Sequence, residues 1–480
     1  MILILKYEGV FLRKLYLNRS KFHIKNPNTK IFLGLLTAIF LGFLICIIAF
    51  VYLHASFKLS ILFGIIAFLV TLWTNRALPM GVVSLLPIIL FPSFEILDTK
   101  SATSNYANPI IFLFLGGFMI ATATEKIGLH RLIAKVFLSR FPKTPQGVIL
   151  ALGLACVILG TALSNSTVAL LLLPVAMSIT QDDFLKTRFL LTIAFASSIS
   201  GISTPISSPP NLIYLGFLEN LNIPTISFTS WIIMMVPLSF IMLFIMIKIL
   251  SYKTASHTID LSELSEIRIT KEHKRLLFFL LLLLCILFIN SPIRPFYDGL
   301  GLNENLILLA FGLAMFLPKI GFLNWADSRS IPFELVFLFG ASFCIAMAFQ
   351  QAELGGAFEQ FFSNFKNLPF LLFILIASIF AVIGTSFLST TAFIAIILPI
   401  INVATAGFLN DTHRILTMLI ITISSSFSFM MPISTPPNAM VFNQGGVSVK
   451  DMAKFGFILT IAGVIIVLIF SNWYWRLFIN

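Results

Sequence analysis

Apolar residues in this chain do not alternate with polar ones; they come in long runs separated by short polar gaps. A helix needs about 20 apolar residues to cross a bilayer. Runs of this kind fall near 31–53, 59–75, 78–92, 108–124, 188–217, 231–250, 276–290, 304–318, 331–350, 413–441 and 454–472. The pattern therefore predicts about eleven transmembrane helices in an all-α polytopic membrane protein. Two further stretches, 147–180 and 368–404, are interrupted by the polar clusters Ser164-Asn165-Ser166-Thr167 and Ser389-Thr390-Thr391, and each runs on to a Leu-Pro, at Pro174 and Pro399. Irregular backbone at membrane depth is tolerated only where protein or a water-filled cavity covers it. Both stretches are therefore read as re-entrant hairpins with the cluster at the tip. The plainer alternative is two ordinary spans joined by Ser/Thr contacts between helices.

Charge sets an expected orientation, because Lys and Arg collect on the cytoplasmic side of short loops. With the tail 1–30 inside, the inner segments include 125–146, with Lys126, Arg131, Lys135, Arg140 and Lys143, and 251–275, with Lys253, Arg268, Lys271, Lys274 and Arg275. The outer loops hold only the scattered Lys58, Lys100, Arg294 and Lys366. This assignment closes with an odd number of spans and the C-terminus outside. The run that begins at Ile31 is too long for a signal-peptide core and is read as an uncleaved first span.

The chain also aligns with itself. Shifted by 225 positions, Phe112-Leu113-Phe114 meets Phe337-Leu338-Phe339, Ser164 meets Ser389, and Pro174 meets Pro399. After a two-residue slip, Ser207-Ser208-Pro209-Pro210-Asn211 meets Ser434-Thr435-Pro436-Pro437-Asn438. Isolated apolar identities carry little weight, but two PPN turns, each about 45 residues after a polar hairpin tip, are hard to obtain by chance. In the topology above, one half begins outside and the other inside. The basic amphipathic stretch 125–141 is then cytoplasmic, and its counterpart 351–366, with Glu353, Glu359 and Lys366, lies outside. Two inverted repeats place the binding site at the midplane, where the broken helices of the halves meet.

Composition narrows the class. The chain is 58% hydrophobic and 10% charged, with a mean hydropathy of +1.02, whereas a soluble domain is about 25% charged. The net charge of +12 does not mark a nucleic-acid surface, because the basic residues sit in gaps between apolar runs. Cys46, Cys156, Cys285 and Cys344 lie within apolar runs without metal or disulfide spacing and are read as packing residues.

The candidate chemistry sits in four polar breaks, the two hairpin tips and the two PPN turns. From Thr144 to Phe217 the charged side chains are Asp182, Asp183, Lys186 and Arg188, and from Leu368 to Asn443 they are Asp411 and Arg414; all are expected in connecting loops. The site is thus expected to consist of hydroxyls, amides and backbone. Carbonyls freed by proline, together with Ser, Thr and Asn oxygens, suit a hard cation such as sodium. Helix N-termini with adjacent hydroxyls suit an anion's oxygens. A site with both features and no basic side chain holds an anion when bound cations compensate it, which is the physical case for cation-coupled anion transport.

At these residues the chain resembles the divalent anion/sodium symporter family, carriers of dicarboxylates, citrate or sulfate. The likeness covers nearly the whole chain after residue 30. It rests on Phe112 to Leu129, on the signature Ser164-Asn165-Ser166 and on the PPN turns. The resemblance implies a homodimer working as an elevator. Residues 31–143 and 276–366 would be the scaffold, 144–250 and 367–480 the moving transport part, and 251–275 a cytoplasmic loop between repeats. Carried over by position, one sodium site uses Ser164, Asn165 and the backbone of Ser207, and the other Thr385, the backbone of Leu388, Thr390 and Ser434. Substrate contacts are Asn165, Ser166, Ser208, Pro209, Ser389, Thr390, Thr391, Thr435 and Pro436. Where the family has Ser-Asn-Thr twice, this chain has Ser166 at the end of the first signature and Ser389-Thr390-Thr391 for the second, which loses an amide; Gly160 stands where a hydroxyl ligand is expected. These departures bear on sodium stoichiometry and dicarboxylate preference rather than on the fold.

The expected function is secondary transport of a small divalent anion, a C4-dicarboxylate first, coupled to sodium and without a cofactor. Dicarboxylate exchange and sulfate transport on the same fold are the alternatives. A channel would need a continuous polar pore, and no ring of charges or repeated filter sequence is present. His23, His54, His130, His257, His273 and His413 are scattered outside the polar breaks, so no enzyme site is expected. The hairpin regions carry no acidic or histidine side chain at membrane depth, which argues against proton coupling.

Overall fold

The computed structural model describes residues 27–52, 56–161, 163–221, 223–254, 269–291, 297–351, 367–432, 434–443 and 446–479. Most of the basic tail, most of the loop 251–275 and nearly all of the expected outer stretch 351–366 lie outside them. Among the described residues the elements are all helical.

The first unit, up to Val83, contains α1 (Pro27–Val51) and α2 (Phe57–Asn75), which pack against each other. Ser56 caps α2 by accepting from the Leu59 N–H, and Asn75 closes the pair by donating to the Gly34 carbonyl at 2.9 Å. Phe32, Phe40 and Phe43 of α1 are exposed, an apolar surface suited to lipid.

The second unit runs from Ser84 to Asn480. In it, α3 (Pro109–Ile127) starts on an Asn108 cap with proline at its first position and stops at Gly128, whose φ of 76° is the left-handed end that favours glycine. The basic α4 (Leu129–Arg140) follows within the stretch expected to be amphipathic. Next come α5 (Pro145–Gly160) and α6 (Asn165–Ser178), with the first polar cluster at the break between them. At 1.5 Å per residue each spans roughly 24 Å or less, short of a bilayer core, as a hairpin requires.

The run 188–217, read as one span, is two helices, α7 (Asp183–Ser200) and α8 (Pro209–Asn220). Pro205, Pro209 and Pro210 lack the N–H groups that would have continued α7. After α9 (Phe228–Leu250) and the connecting loop, α10 (Lys271–Asn290) begins five residues before the expected span. Thr270 and His273 form a reciprocal capping box there, so Lys271, Lys274 and Arg275 are helical rather than part of a loop. The chain continues through α11 (Glu304–Ala314) and α12 (Phe333–Gln351). A second hairpin, α13 (Phe370–Phe387) and α14 (Thr390–Thr405), breaks at the second polar cluster. The run 413–441 is again two helices, α15 (Asp411–Ser425) and α16 (Pro436–Asn443), before α17 (Val449–Trp473). Proline also cuts 78–92 into Met80–Leu85 and Pro87–Ser93.

Among the described residues six segments are long and apolar enough to cross a membrane: Ile31–Val51, Phe57–Asn75, Thr99–Ile127, Phe228–Leu250, Phe333–Gln351 and Val449–Leu477. Most of the other apolar elements are shorter or broken; α10 has 20 residues but begins with a charged turn. The order α5–α6–α7–break–α8–α9 recurs as α13–α14–α15–break–α16–α17, and so do its contacts. α5 packs on α7 as α13 does on α15, and α9 packs on α17. Elsewhere, α3 and α11 cross with their backbones in contact. A Cβ on Gly116 would lie 2.3 Å from the Leu308 carbonyl oxygen, and one on Gly312 would lie 2.5 Å from Gly116 Cα. Small residues permit this close approach.

Candidate functional site

The two halves exchange partners at their breaks. α6, which follows the first hairpin tip, packs against α16 of the second half, and α14, which follows the second tip, packs against α8 of the first. Each tip helix thus lies beside the helix that restarts at the other half's PPN motif.

At the first tip, Ser164 caps α6. Its Oγ accepts from the Thr167 N–H at 3.3 Å and pairs with Thr167 Oγ1 at 2.9 Å. Asn165 Oδ1 accepts from the Ser166 N–H at 2.9 Å, which leaves Nδ2 pointing elsewhere. A Cβ built on Gly201 would be 3.4 Å from both Asn165 Nδ2 and Ser208 Cβ, so the tip amide and the first broken turn meet. Ser164 also lines a narrow cavity with Phe114, Gly117, Phe118 and Ala121 of α3 and with Ile206.

The first broken turn is tied down internally. The Thr204 and Ser207 hydroxyls lie 2.5 Å apart, Ser207 Oγ donates to the Gly160 carbonyl, and Thr204 Oγ1 donates to the Thr161 carbonyl at 3.2 Å. Trp231 of α9 supplies a further donor, to the Ile202 carbonyl at 2.9 Å. Gly160 is explained here. A Cβ at that position would meet Ser200 Oγ at 2.2 Å, so α5 and α7 approach too closely for a side chain, and position 160 contributes its carbonyl instead of a hydroxyl.

The second tip and turn are built on the same plan with fewer ties. Leu388 ends α13 with its N–H on the Gly384 carbonyl, and Thr385 Oγ1 donates to the Ala381 carbonyl at 2.7 Å. Ser389 caps α14 without a side-chain bond, and Thr390, which is buried, donates from Oγ1 to the Ser434 carbonyl at 3.2 Å. Thr391 is half-buried and Pro436 exposed. Thr435 Oγ1 accepts from the Asn438 N–H at 3.4 Å. Thr460 of α17 donates to the Phe427 carbonyl at 2.8 Å. Among the described residues Ser434 Oγ, buried, has no hydrogen-bond partner, and neither have Ser424 and Ser426 Oγ.

The fold therefore joins Asn165 to Ser208 in one group and Thr390 to Ser434 in another. One expectation is corrected: Lys186, Arg188 and Arg414 lie on α7 and α15, not in loops. Asn410 and Asp182 cap these helices so early that Asp183, Lys186, Asp411 and Arg414 fall in their first turns and Arg188 in the second. Arg188 is buried, its guanidinium 4.0 Å over the Phe455 ring. It lies twelve residues before Ser200, roughly 18 Å along the helix, so the break itself stays free of charge. A cavity of about 700 Å³ touches the first turn only at Pro205 and carries Glu219, Asp298 and Glu304; this acidic lining does not suit an anion. Two residues that matter to the turns, Asn211 and Asn438, were visible as the last letter of each PPN motif but were not assigned to the site.

Paired broken helices buried in an apolar helical body define a membrane transporter. The sequence matches the sodium:sulfate symporter transmembrane region over residues 30–480, and the chain belongs to that family. It is an integral membrane protein and not an enzyme. The sodium-dependent dicarboxylate transporter SdcS of Staphylococcus saprophyticus is 26% identical over 483 residues, covering 93% of each chain. SdcS of Staphylococcus aureus strain USA300 is 25% identical over 472 residues, covering 91% of this chain and 90% of its own. The fold is similar to those of the YdaH transporter of Alcanivorax borkumensis (TM-score 0.56, 13% identity, 78% of this chain and 88% of that one) and of MtrF from Neisseria gonorrhoeae (TM-score 0.52, 14% identity, 78% and 83%).

Proposed function

We propose that this protein is a secondary active transporter that carries a small divalent anion, a C4-dicarboxylate first, together with sodium. The observation that carries the reading is the crossed pairing of hairpin tips and broken turns, lined by hydroxyls, amides and free carbonyls. Without a basic side chain at the breaks, an anion's charge is balanced by ions bound beside it. The name of the SdcS relatives supports sodium and a dicarboxylate.

In this reading one sodium is held by Ser164, Asn165 and the Ser207 backbone, and the other by Thr385, the Leu388 backbone, Thr390 and Ser434. The anion meets Asn165, Ser166, Ser208, Pro209, Ser389, Thr390, Thr391, Thr435 and Pro436 at the N-terminal ends of α6, α8, α14 and α16, where the hydroxyls of all four ends and the positive dipole ends of α6 and α14 favour carboxylate oxygens. Residues 144–250 and 367–480 move as an elevator against 31–143 and 276–366 within a homodimer, with the N-terminus cytoplasmic and the C-terminus outside.

Thr390 favours a second reading. A hydroxyl reaches less far than the amide that the family pattern places there, which suits a compact oxyanion such as sulfate, or exchange of one dicarboxylate for another. Proteoliposome uptake separates these readings. Labelled succinate should accumulate with an inward sodium gradient and not with potassium. Accumulation of sulfate alone, or succinate counterflow indifferent to sodium, would reject the first reading in favour of the second.

A further inference from the structure

The geometry points to Asn211 and Asn438 as positioning residues for the ion sites: each amide clamps the broken turn that presents a cation ligand. Asn211 Nδ2 donates to the carbonyls of Gly201 at 2.8 Å and Thr204 at 3.1 Å. Asn438 Nδ2 donates to those of Ser428 at 3.2 Å and Met431 at 3.1 Å. In both halves the partners lie ten and seven residues before the asparagine, so the same clamp is built twice. Both side chains are fully buried, and each Oδ1 has no hydrogen-bond partner among the described residues. With two carbonyls to satisfy, only the NH₂ end of the amide can face the turn.

The need for a clamp follows from the break. A helix that stops leaves its last carbonyls unpaired, and the prolines of the next segment offer no N–H to meet them. Left alone, these carbonyls would turn toward any donor or cation. The asparagine fixes two of them and so fixes the path of the chain between. The clamp shares an acceptor with the proposed ligand residue: the Ser207 N–H also reaches the Thr204 carbonyl, at 3.3 Å, and the Ser434 N–H reaches that of Met431, at 3.3 Å. Amide and ligand residue are thus tied to one oxygen, and releasing the amide frees the ligand residue. Neither asparagine touches the ion in this scheme; each holds the backbone that does.

The inference rests on the sodium-coupled reading, and the test separates the two. Asn211→Leu and Asn438→Leu keep the branch at Cγ, in a somewhat larger side chain, and remove the donors. Two buried hydrogen bonds are lost, so the sodium concentration for half-maximal uptake should rise about ten-fold in each variant, with the anion half-saturation nearly unchanged. A purely packing role would lower the melting temperature and the amount of active protein without moving the sodium half-saturation. If either leucine variant fails to fold, Asn→Ser at the same position leaves room and one donor, and should shift sodium dependence by a smaller factor. Hydrogen exchange on the wild-type protein needs no variant: sodium, compared with potassium, should slow exchange across 201–208 and 428–435. Unchanged sodium half-saturation in the folded variants, or exchange indifferent to sodium, overturns the clamp. A wild-type protein whose uptake ignores sodium overturns the coupling itself.

Discussion

The two broken turns share a plan and differ in how much of their polarity is already satisfied. In the first, the Ser207 hydroxyl donates to the Gly160 carbonyl, and the Thr204 hydroxyl lies between two acceptors, the Thr161 carbonyl and Ser207 Oγ. In the second, Met431 stands where Thr204 does, Thr385 stands opposite Gly160, and Ser434 Oγ is buried without a partner. A buried hydroxyl lacking a bond is costly, whereas one that awaits a ligand is not once the ligand arrives. The first turn is therefore tied by the protein's own hydroxyls, and in the proposed reading the second is completed by the ion it binds.

The largest expected effect would break the comparison at its root. Asn165→Ala should abolish uptake, by more than about 100-fold, while the protein stays monodisperse in detergent. The amide is proposed to serve both ion and anion, and each lost bond to a charged group is worth about 1.5–3 kcal/mol. Normal uptake by this variant would remove the first tip from the site.

The next pair tests the asymmetry directly. Ser207→Ala leaves the Gly160 carbonyl without its donor and should cost about 1–3 kcal/mol of stability without sodium. Ser434→Ala removes a hydroxyl that has no bond to lose, so melting in sodium-free buffer should be unchanged. It should instead lose the stabilisation that sodium gives the wild type, since only the folded protein binds the ion. Equal losses in the two variants would show that the turns are not differently satisfied.

Thr390→Asn sharpens the same point at smaller scale. It restores a longer oxygen ligand with a donor on the same group, beside a carbonyl that Thr390 already reaches at 3.2 Å. The sodium concentration for half-maximal uptake should fall several-fold. Full activity with unchanged sodium dependence would show that position 390 does not meet the cation, and reduced activity would favour a site matched to another anion.

The smallest effect lies away from both turns, where Asp327 pairs with Lys126 at 2.7 Å. The Asn324 N–H, and then Lys126, hold the Asp327 carboxyl below the ordinary carboxylate range. A depressed native value means that the stabilisation is fully present above the unfolded value of about 3.9 and is lost as pH falls through the native one. Asp327→Asn should therefore lower the melting temperature slightly at pH 7 and not at acidic pH, with sodium dependence unmoved at any pH. The group is exposed, so a large shift at pH 7 would mean that the pair does more than a surface ion pair can.

Much of the fold could be read from the sequence because the rules of the bilayer are coarse. Run length located the helices α1, α2, α3, α9, α12 and α17, and polar clusters located both hairpin breaks. The runs 188–217 and 413–441 were misread as single spans because proline's missing N–H breaks a helix without lowering its hydropathy. The start of α10 was misplaced because Thr270 and His273 cap a charged turn that looks like loop by composition alone. The tip residues could be named from their signatures, but the role of Gly160 could not. Its reason is the distance from α5 to Ser200, a contact between residues forty apart in the chain that no local pattern encodes. Asn211 and Asn438 were in plain view in the PPN motifs, yet which end of each amide is engaged depends on carbonyls that only the folded turn brings near.

The backbone contact of α3 with α11 at Gly116 and Gly312 has a practical use. Two helices that touch without intervening side chains have no soft layer in which to slide, so they serve as a fixed ruler. Spin labels on the ends of α3 and α11 should keep one sharp mutual distance under every combination of ions and substrate. A third label on α8, measured against that ruler, would then report in ångströms whether the proposed site moves, and how far.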